Sequence, residues 1–274
     1  GFRKRLHARP ARGFARCCHL CAMTKTRTAL ILVQSFIPML VLSAQLPAGG
    51  DELLAFFNAT RGSEWHSSSS SSSHRWFSTT QRSLCQWEGI TCKKGSVADL
   101  KLSGKAGFAG TIPQQLGKLT FLQKLELKDT DLSGTIPTEL CALTALRKLE
   151  LGRTHLSGTL PKKCLAGWTS LEELYLKRTK LSGTLPPVIG EWASVTRIDI
   201  SDTHQLSGTL PPQFGHLQNL RELFLDRNLL SGSIPKAKLG RLSTCSLENN
   251  MFECQAMKLA GEMASAWGFF PTPP

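Results

Sequence analysis

Apolar residues fall into a six-residue phrase that returns every 24 or 25 residues. It reads Leu122-x-x-Leu125-x-Leu127, Leu146-x-x-Leu149-x-Leu151, Leu171-x-x-Leu174-x-Leu176, Val195-x-x-Ile198-x-Ile200 and Leu220-x-x-Leu223-x-Leu225. Val97-x-x-Leu100-x-Leu102 is a weaker first copy, and Leu242-x-x-Cys245-x-Leu247 is a last one. The final three positions alternate with a period of two. This predicts a short strand whose apolar residues point inward while the residue between them faces solvent. Three residues further on stand Thr130, Thr154, Thr179, Thr203, Asn228 and Asn250. A side chain there can turn the chain out of the strand by bonding orphaned backbone groups, Thr more weakly than Asn.

A second apolar set follows each turn. Gly134, Gly158, Gly183, Gly208 and Gly232 sit where a bend is needed, and a proline three residues later limits φ. From Pro113 through Pro137, Pro161, Pro186 and Pro211 to Pro235 the steps are 24, 24, 25, 25 and 24 residues. Beyond each proline lies an inward pair: Leu116 and Leu119, Leu140 and Leu143, Cys164 and Trp168, Ile189 and Trp192, Phe214 and Leu217. A period in the twenties carrying L-x-x-L-x-L marks an α/β solenoid of leucine-rich repeats, about seven over residues 95–254. The expected form is a right-handed superhelix with a parallel sheet on its concave face and short 3-10 or irregular convex segments. Each coil holds six or more apolar side chains that it cannot bury alone, so neighbouring coils supply most of the stability.

Both ends of such a stack need a cover. Residues 45–94 are expected to form the N-terminal cap. Asp51 is the expected N-cap of a short helix with Leu53, Leu54, Phe56 and Phe57 on its apolar face, and Trp65 and the 85–92 segment complete the unit. Between them Ser67–Ser73 is an unbroken serine run with nothing to bury, read as a surface insertion. Asn58-Ala59-Thr60 is an N-glycosylation sequon. Residues 255–274 are expected to be a C-terminal cap or tail, any helix there ending before Pro271, Pro273 and Pro274, and no membrane anchor is read in it.

The start of the chain changes how its charge is read. Residues 1–22 are Arg-rich with no apolar period. From Met23, Lys25 and Arg27 precede the apolar run Ala29–Leu42 and small Ser43 and Ala44, the layout of a secretory signal over 23–44, either cleaved or retained as an anchor. Met23 is the expected start, with 1–22 a non-native or unstructured leader. Residues 1–44 carry eight Lys/Arg and no acid, leaving +5 of the whole chain's +13, so nucleic-acid binding is disfavoured. Six cysteines follow: Cys85, Cys92, Cys141, Cys164, Cys245 and Cys254. An even number in a secreted chain favours disulfides. Cys141 and Cys164 lie at nearly matching places in adjacent coils and either bridge or remain two buried thiols. Cys245 and Cys254 could staple the last coil.

The repeat L-x-x-L-x-L-x-x-(T/N)-x-L-S-G-(T/S)-(I/L)-P resembles the plant-type extracellular leucine-rich repeats, and Cys85-Gln86-Trp87-Glu88-Gly89-Ile90-Thr91-Cys92 resembles their N-terminal cap. That resemblance covers residues 51–254 and implies a Cys85–Cys92 pair. Thr in the Asn slot, with Ser-Gly-Thr-Leu-Pro-Pro at 182–187 and 207–212, is similar in style to trypanosomatid surface antigens. Val188-Ile189 and Gln213-Phe214 stand where those antigens tend to carry Trp, and their threonine- or proline-rich stalk is absent.

Function is expected on the concave sheet. One solvent-facing column is Lys101, Glu126, Glu150, Tyr175, Asp199, Phe224 and Ser246; beside it run Ser103, Lys128, Gly152, Lys177, Ser201, Asp226 and Glu248. Tyr175 and Phe224 are the candidate anchors, and the charges, alternating in sign, are expected to be solvated. The partner expected is a protein or glycoprotein; alternatives are a truncated receptor ectodomain and an inhibitor of a secreted hydrolase. His155 and His204 recur near the ladder Thr but two coils apart, and no G-x-S-x-G, H-E-x-x-H or phosphate loop is present. No catalytic residue, metal or cofactor is expected.

Overall fold

The computed structural model describes residues 49–65, 83–235 and 242–253, all within the compact unit Pro47–Pro274. The expected leader and signal at 1–44, the serine run, Cys254 and the expected cap or tail at 255–274 lie outside the described residues. The chain is an α/β solenoid of leucine-rich repeats. Helix α1 (Gly50–Ala59) precedes the antiparallel pair β1 (Ile90–Lys93) and β2 (Ser96–Lys101). The repeats then supply β3 (Ala109–Thr111), β4 (Lys124–Glu126), β5 (Asp131–Gly134), β6 (Lys148–Glu150), β7 (His155–Thr159), β8 (Glu173–Tyr175) and β9 (Lys180–Thr184). They continue with β10 (Arg197–Asp199), β11 (Gln205–Thr209), β12 (Glu222–Phe224), β13 (Leu229–Gly232), β14 (Thr244–Ser246) and β15 (Met251–Phe252).

Two sheets result, because each coil contributes one strand before its turn and one after. The ladder sheet has the order β1-β2-β4-β6-β8-β10-β12-β14, and the second sheet β15-β13-β11-β9-β7-β5-β3. Apart from β1–β2 all pairings are parallel, with Leu125 opposite Leu149 and Ile198 opposite Leu223. Leu125, Leu149, Leu174, Ile198 and Leu223 are each fully buried, as are Leu140, Cys164, Trp168, Ile189 and Trp192 from the far side of the coil. A large buried side chain is worth about 1.5–3 kcal/mol. Here it is secured only by the coils on either side. The two buried indoles also satisfy carbonyls of the previous coil: Trp168 Nε1 donates to Leu140 O at 2.9 Å and Trp192 Nε1 to Leu165 O at 2.6 Å.

The two 25-residue steps absorb their extra residue differently. Elsewhere the segment after the proline is a 3-10 turn, as at Gln114–Lys118 and Thr138–Ala142. After Pro161 the inward pair is four residues apart, Cys164 and Trp168, and the segment widens into the α-helix α2 (Lys162–Gly167). After Ile200 the extra residue is His204, held at φ 60° between the turn and β11.

The turn slot behaves as its chemistry demands. Thr130, Thr154 and Thr179 each donate to one carbonyl three residues back, at 2.8–2.9 Å. Asn228 Nδ2 does more, reaching Leu225 O at 3.0 Å in its own coil and Ile200 O at 2.8 Å in the coil before. Thr203 Oγ1 donates to Asn228 Oδ1.

At the N-terminal end Phe56 and Leu53 of α1 are buried, and Phe56, Trp65 and Phe108 form a ring cluster with centroids 4.7–6.1 Å apart. The helix does not begin on Asp51. Its N-cap is Gly49 at φ 94°, and Asp51 lies in the first turn, where a carboxylate still complements the helix dipole. Glycine takes the cap because the chain arrives in a left-handed conformation.

Cys85 is joined to Cys92, with Cα atoms 5.4 Å apart, and Cys141 to Cys164, with Cα atoms 3.8 Å apart. The possible Cys245–Cys254 staple involves Cys254, outside the described residues. Cys245 is a free thiol in the inward ladder position opposite Leu223, where it acts as a small apolar side chain, and burial pushes its pKa up to about 11.

Candidate functional site

The ladder sheet presents three outward columns. Register pairs Lys101, Glu126, Glu150, Tyr175, Asp199, Phe224 and Ser246 in one file, and Asp99, Lys124, Lys148, Glu173, Arg197, Glu222 and Thr244 in the file before it. Ser103, Lys128, Gly152, Lys177, Ser201, Asp226 and Glu248 follow the last inward residue of each strand.

These charges do not form the solvated face that sign alternation suggests. Glu150 is only 7% exposed and Asp199 3%. Glu150 is clamped by Lys128 Nζ at 2.9 Å and Lys148 Nζ at 3.2 Å, and Lys148 also lies 3.4 Å from Glu126. Burial pulls the Lys148 pKa down, but the bond and charge of Glu150, with Glu126 and Glu173, raise it above 10.5 overall. Asp199 accepts from Ser201 Oγ at 2.7 Å and lies 3.6 Å from Lys177 Nζ. Lys101 and Asp99 pair at 3.5 Å, and Asp99 is itself buried. A long lysine reaching over the neighbouring strand excludes water from the shorter acid beneath it. Glu150 and Asp199 therefore serve the face from within. Lys101, Lys128, Lys177 and half-buried Glu126 and Asp226 line it.

Tyr175 and Phe224 are connected by a residue that the sequence reading did not single out. The Arg197 guanidinium lies 5.0 Å from the Tyr175 ring centroid and 5.0 Å from that of Phe224, and Arg197 also pairs with Glu222. Lys148 Nζ is 5.3 Å from Tyr175 on its other side. The result is a stack Lys148–Tyr175–Arg197–Phe224 across β6, β8, β10 and β12. Each cation–π contact is worth about 0.5–1 kcal/mol at an exposed site. The Tyr175 hydroxyl donates to Glu173 Oε2 at 3.1 Å, and burial, then Glu173, pushes its pKa up to about 12. Arg197 Nε is buried without a hydrogen-bond partner among the described residues. The signal that could have found Arg197 is its place one column over and one coil between the two aromatics.

Beside the stack lies a concavity of about 350 Å³ lined by Lys128, Lys148, Glu150, Tyr175, Lys177 and Arg197. Gly152 opens it, standing in the third column between the longer Lys128 and Lys177. Cations dominate this lining, so it suits a carboxylate next to an apolar or aromatic group. His155 and His204 lie elsewhere, along the turn between the sheets. No group of three His, Cys, Asp or Glu is placed to hold a metal among the described residues, and no helix among them is long and apolar enough to cross a membrane.

Comparisons with known proteins agree with this architecture. A family model described as Leucine Rich Repeat matches residues 170–192. No curated protein matches the sequence. Among solved structures, the leucine-rich repeat ectodomain of the receptor kinase GASSHO1/SCHENGEN3 from Arabidopsis thaliana, in complex with CASPARIAN STRIP INTEGRITY FACTOR 2, is 30% identical over 65% of this chain and 22% of that one, with a TM-score of 0.60. The plant peptide hormone receptor RGFR1 in complex with RGF2 is 31% identical over 61% of this chain and 30% of the other, with a TM-score of 0.57. PEPR1–AtPEP1 is 27% identical over 76% and 32%, with a TM-score of 0.60. The chain thus spans between about a fifth and a third of the length of these ectodomains.

Proposed function

We propose that the protein is a recognition module, secreted or displayed at the cell surface, that binds a protein or peptide partner on its ladder sheet. The observation that carries this reading is the Tyr175–Arg197–Phe224 stack beside a cation-lined concavity. Rings fixed by a guanidinium lose little entropy on binding, and aromatic and arginine residues carry most interface energy. The preferred partner is an extended segment that lays an aromatic or aliphatic side chain on Tyr175 or Phe224 and a carboxylate near Lys128, Lys177 and Arg197. Similarity to receptor ectodomains crystallised with their partners supports peptide recognition, and favours as second reading the ligand-sensing part of a larger receptor. Two disulfides fit an oxidising compartment, and the sequon residue Asn58 is exposed on α1, where it could accept a glycan. Thr130, Thr154, Thr179 and Thr203 in the turn slot, with the Ser-Gly-Thr-Leu-Pro-Pro tracts, are what supports a surface-antigen style. The test is capture of an acidic, aromatic-containing peptide library by wild type and by Tyr175→Ala/Phe224→Ala. The double variant should lose at least tenfold in affinity, about 1.4 kcal/mol, while still unfolding cooperatively, with a midpoint lowered only by the loss of the three cation–π contacts. Equal capture by both proteins removes this face from the reading.

A further inference from the structure

The turn leaving each ladder strand places one residue in the left-handed region: Asp129, Arg153, Arg178, Asp202, Arg227 and Asn249, all at φ 54–57°. Asn and Asp tolerate that conformation best, and a long side chain gains nothing from it. Three of the six coils nevertheless use arginine, so the fold's backbone requirement does not explain the choice. A strained position held by an unfavoured residue points to what its side chain does.

Because the backbone repeats, these side chains leave in file. Arg153 pairs with Asp129 at 3.2 Å, while Arg178 at 3.1 Å and Arg227 at 3.3 Å share Asp202. No acid lies between Arg153 and Arg178, which occupy adjacent coils. The next outward file places His155, 3.7 Å from Asp131, beside Lys180; among the described residues Lys180 is in no ion pair and Arg178 is in one, with Asp202. Like charges on neighbouring strands are unfavourable. Both files line one open groove of about 690 Å³, to which His204 adds a further imidazole; its one acid, Asp202, is neutralised from both sides by Arg178 and Arg227. Thr154 and Thr179 also line it, and no Phe, Tyr, Trp or large aliphatic side chain does. Charged and imidazole groups therefore set what the groove recognises.

We propose that this groove binds a linear anionic polysaccharide, with sulfate or uronate groups bridging Arg153 and Arg178 and the polymer running across successive coils toward Arg227. No Phe, Tyr or Trp offers an anchor here, which disfavours an aromatic peptide, and binding of single-stranded nucleic acid to the imidazoles and guanidinium groups is an outcome that the test distinguishes. A polymer with an anion on every one or two sugars instead matches cations repeated at about 4.8 Å per strand. The groove adjoins the concavity beside the Tyr175–Arg197–Phe224 stack, sharing Arg153 with it, but neither ring lines it.

The experiment is titration of the protein with a sulfated glycosaminoglycan octasaccharide, a galacturonate oligomer and uncharged dextran at two salt concentrations. One or both anionic probes should bind and weaken as salt rises; the tighter one identifies the anion. Arg153→Asn/Arg178→Asn should bind the preferred probe about tenfold more weakly while melting near the wild-type temperature, since the better fit of Asn to the turn offsets the lost exposed pairs with Asp129 and Asp202. Arg153→Lys/Arg178→Lys should retain most binding, and Tyr175→Ala/Phe224→Ala all of it. Should the Asn double variant fail to fold, Arg153→Asn alone carries the same expectation at smaller size. Unchanged binding by the Asn variants overturns the proposal. So does dextran binding as tightly as the anionic probes, no salt-sensitive binding of either glycan, or equal or tighter binding of single-stranded DNA.

Discussion

The two sheets share one backbone period but use their outward faces in opposite ways. On the second sheet the outward residues repeat. Ser133, Ser157, Ser182, Ser207 and Ser231 each donate to a glycine carbonyl of the preceding coil at 3.1–3.4 Å. Thr111, Thr135, Thr159, Thr184 and Thr209 pack their methyls where a Cβ on the next coil's glycine would stand, 2.8–3.1 Å away. On the ladder sheet the outward residues vary from coil to coil, and they include Tyr175, Arg197 and Phe224. Repetition marks side chains that tie coil to coil. Variation within an equally regular register marks side chains that pair individually across coils and leave others, such as the faces of Tyr175 and Phe224, available.

Four substitutions sharpen or break this contrast. The largest effect is expected from Gly183→Val on the repeating face. Gly183 has φ +84°, and a Cβ there would meet Thr159 Cγ2 at 2.9 Å, so the change should cost about 2–3 kcal/mol in a denaturant titration. A loss below 0.5 kcal/mol would show that the Thr-Gly contact is incidental.

Next comes Glu150→Gln on the varying face. It removes the acid clamped by Lys128 and Lys148, and about 2 kcal/mol should go with it, less than a fully buried pair because the lysines reach solvent. Stability equal to wild type would return Glu150 to the solvated face that its sign pattern suggested.

Ser182→Ala deletes one rung of the serine file and should cost about 1 kcal/mol, with partner capture unchanged. Reduced capture at unchanged stability would make the second sheet, too, a binding surface.

The smallest effect concerns Asp202. Burial raises its pKa, but hydrogen bonds from Arg178 and Arg227 and their charges hold it below the ordinary 3.8. A lowered carboxyl stabilises the fold fully above 3.8 and loses that contribution as pH falls through its folded value. Melting temperature should therefore decline more steeply below pH 3.8 in wild type than in Asp202→Asn. Parallel acid limbs would mean that the Arg178–Asp202–Arg227 bridge contributes nothing.

Much of this was legible in the sequence. The inward leucines, the turn slot and the membership of each outward column follow from a 24-residue period with two-residue alternation, both local properties of the chain. Cys245 in place of a leucine was equally visible, but not its free state. The columns gave no warning that Glu150 and Asp199 are covered, because burial depended on lysines one strand away. Arg197 was missed for the same reason: its partners Tyr175 and Phe224 are 22 and 27 residues distant in sequence and adjacent only across strands. Within the cap, Asp51 had the right chemistry for an N-cap, but the left-handed entry of the chain gave the place to Gly49.

The sequence by itself determined that this protein is a stack of coils, since each phrase of leucines must hide against its neighbour and the prolines and glycines set one turn length. The tertiary structure alone decided which outward side chains remain available. That choice depends on reach and pairing between residues one coil apart, where a lysine can cover an acid and an arginine can lock two rings into one surface.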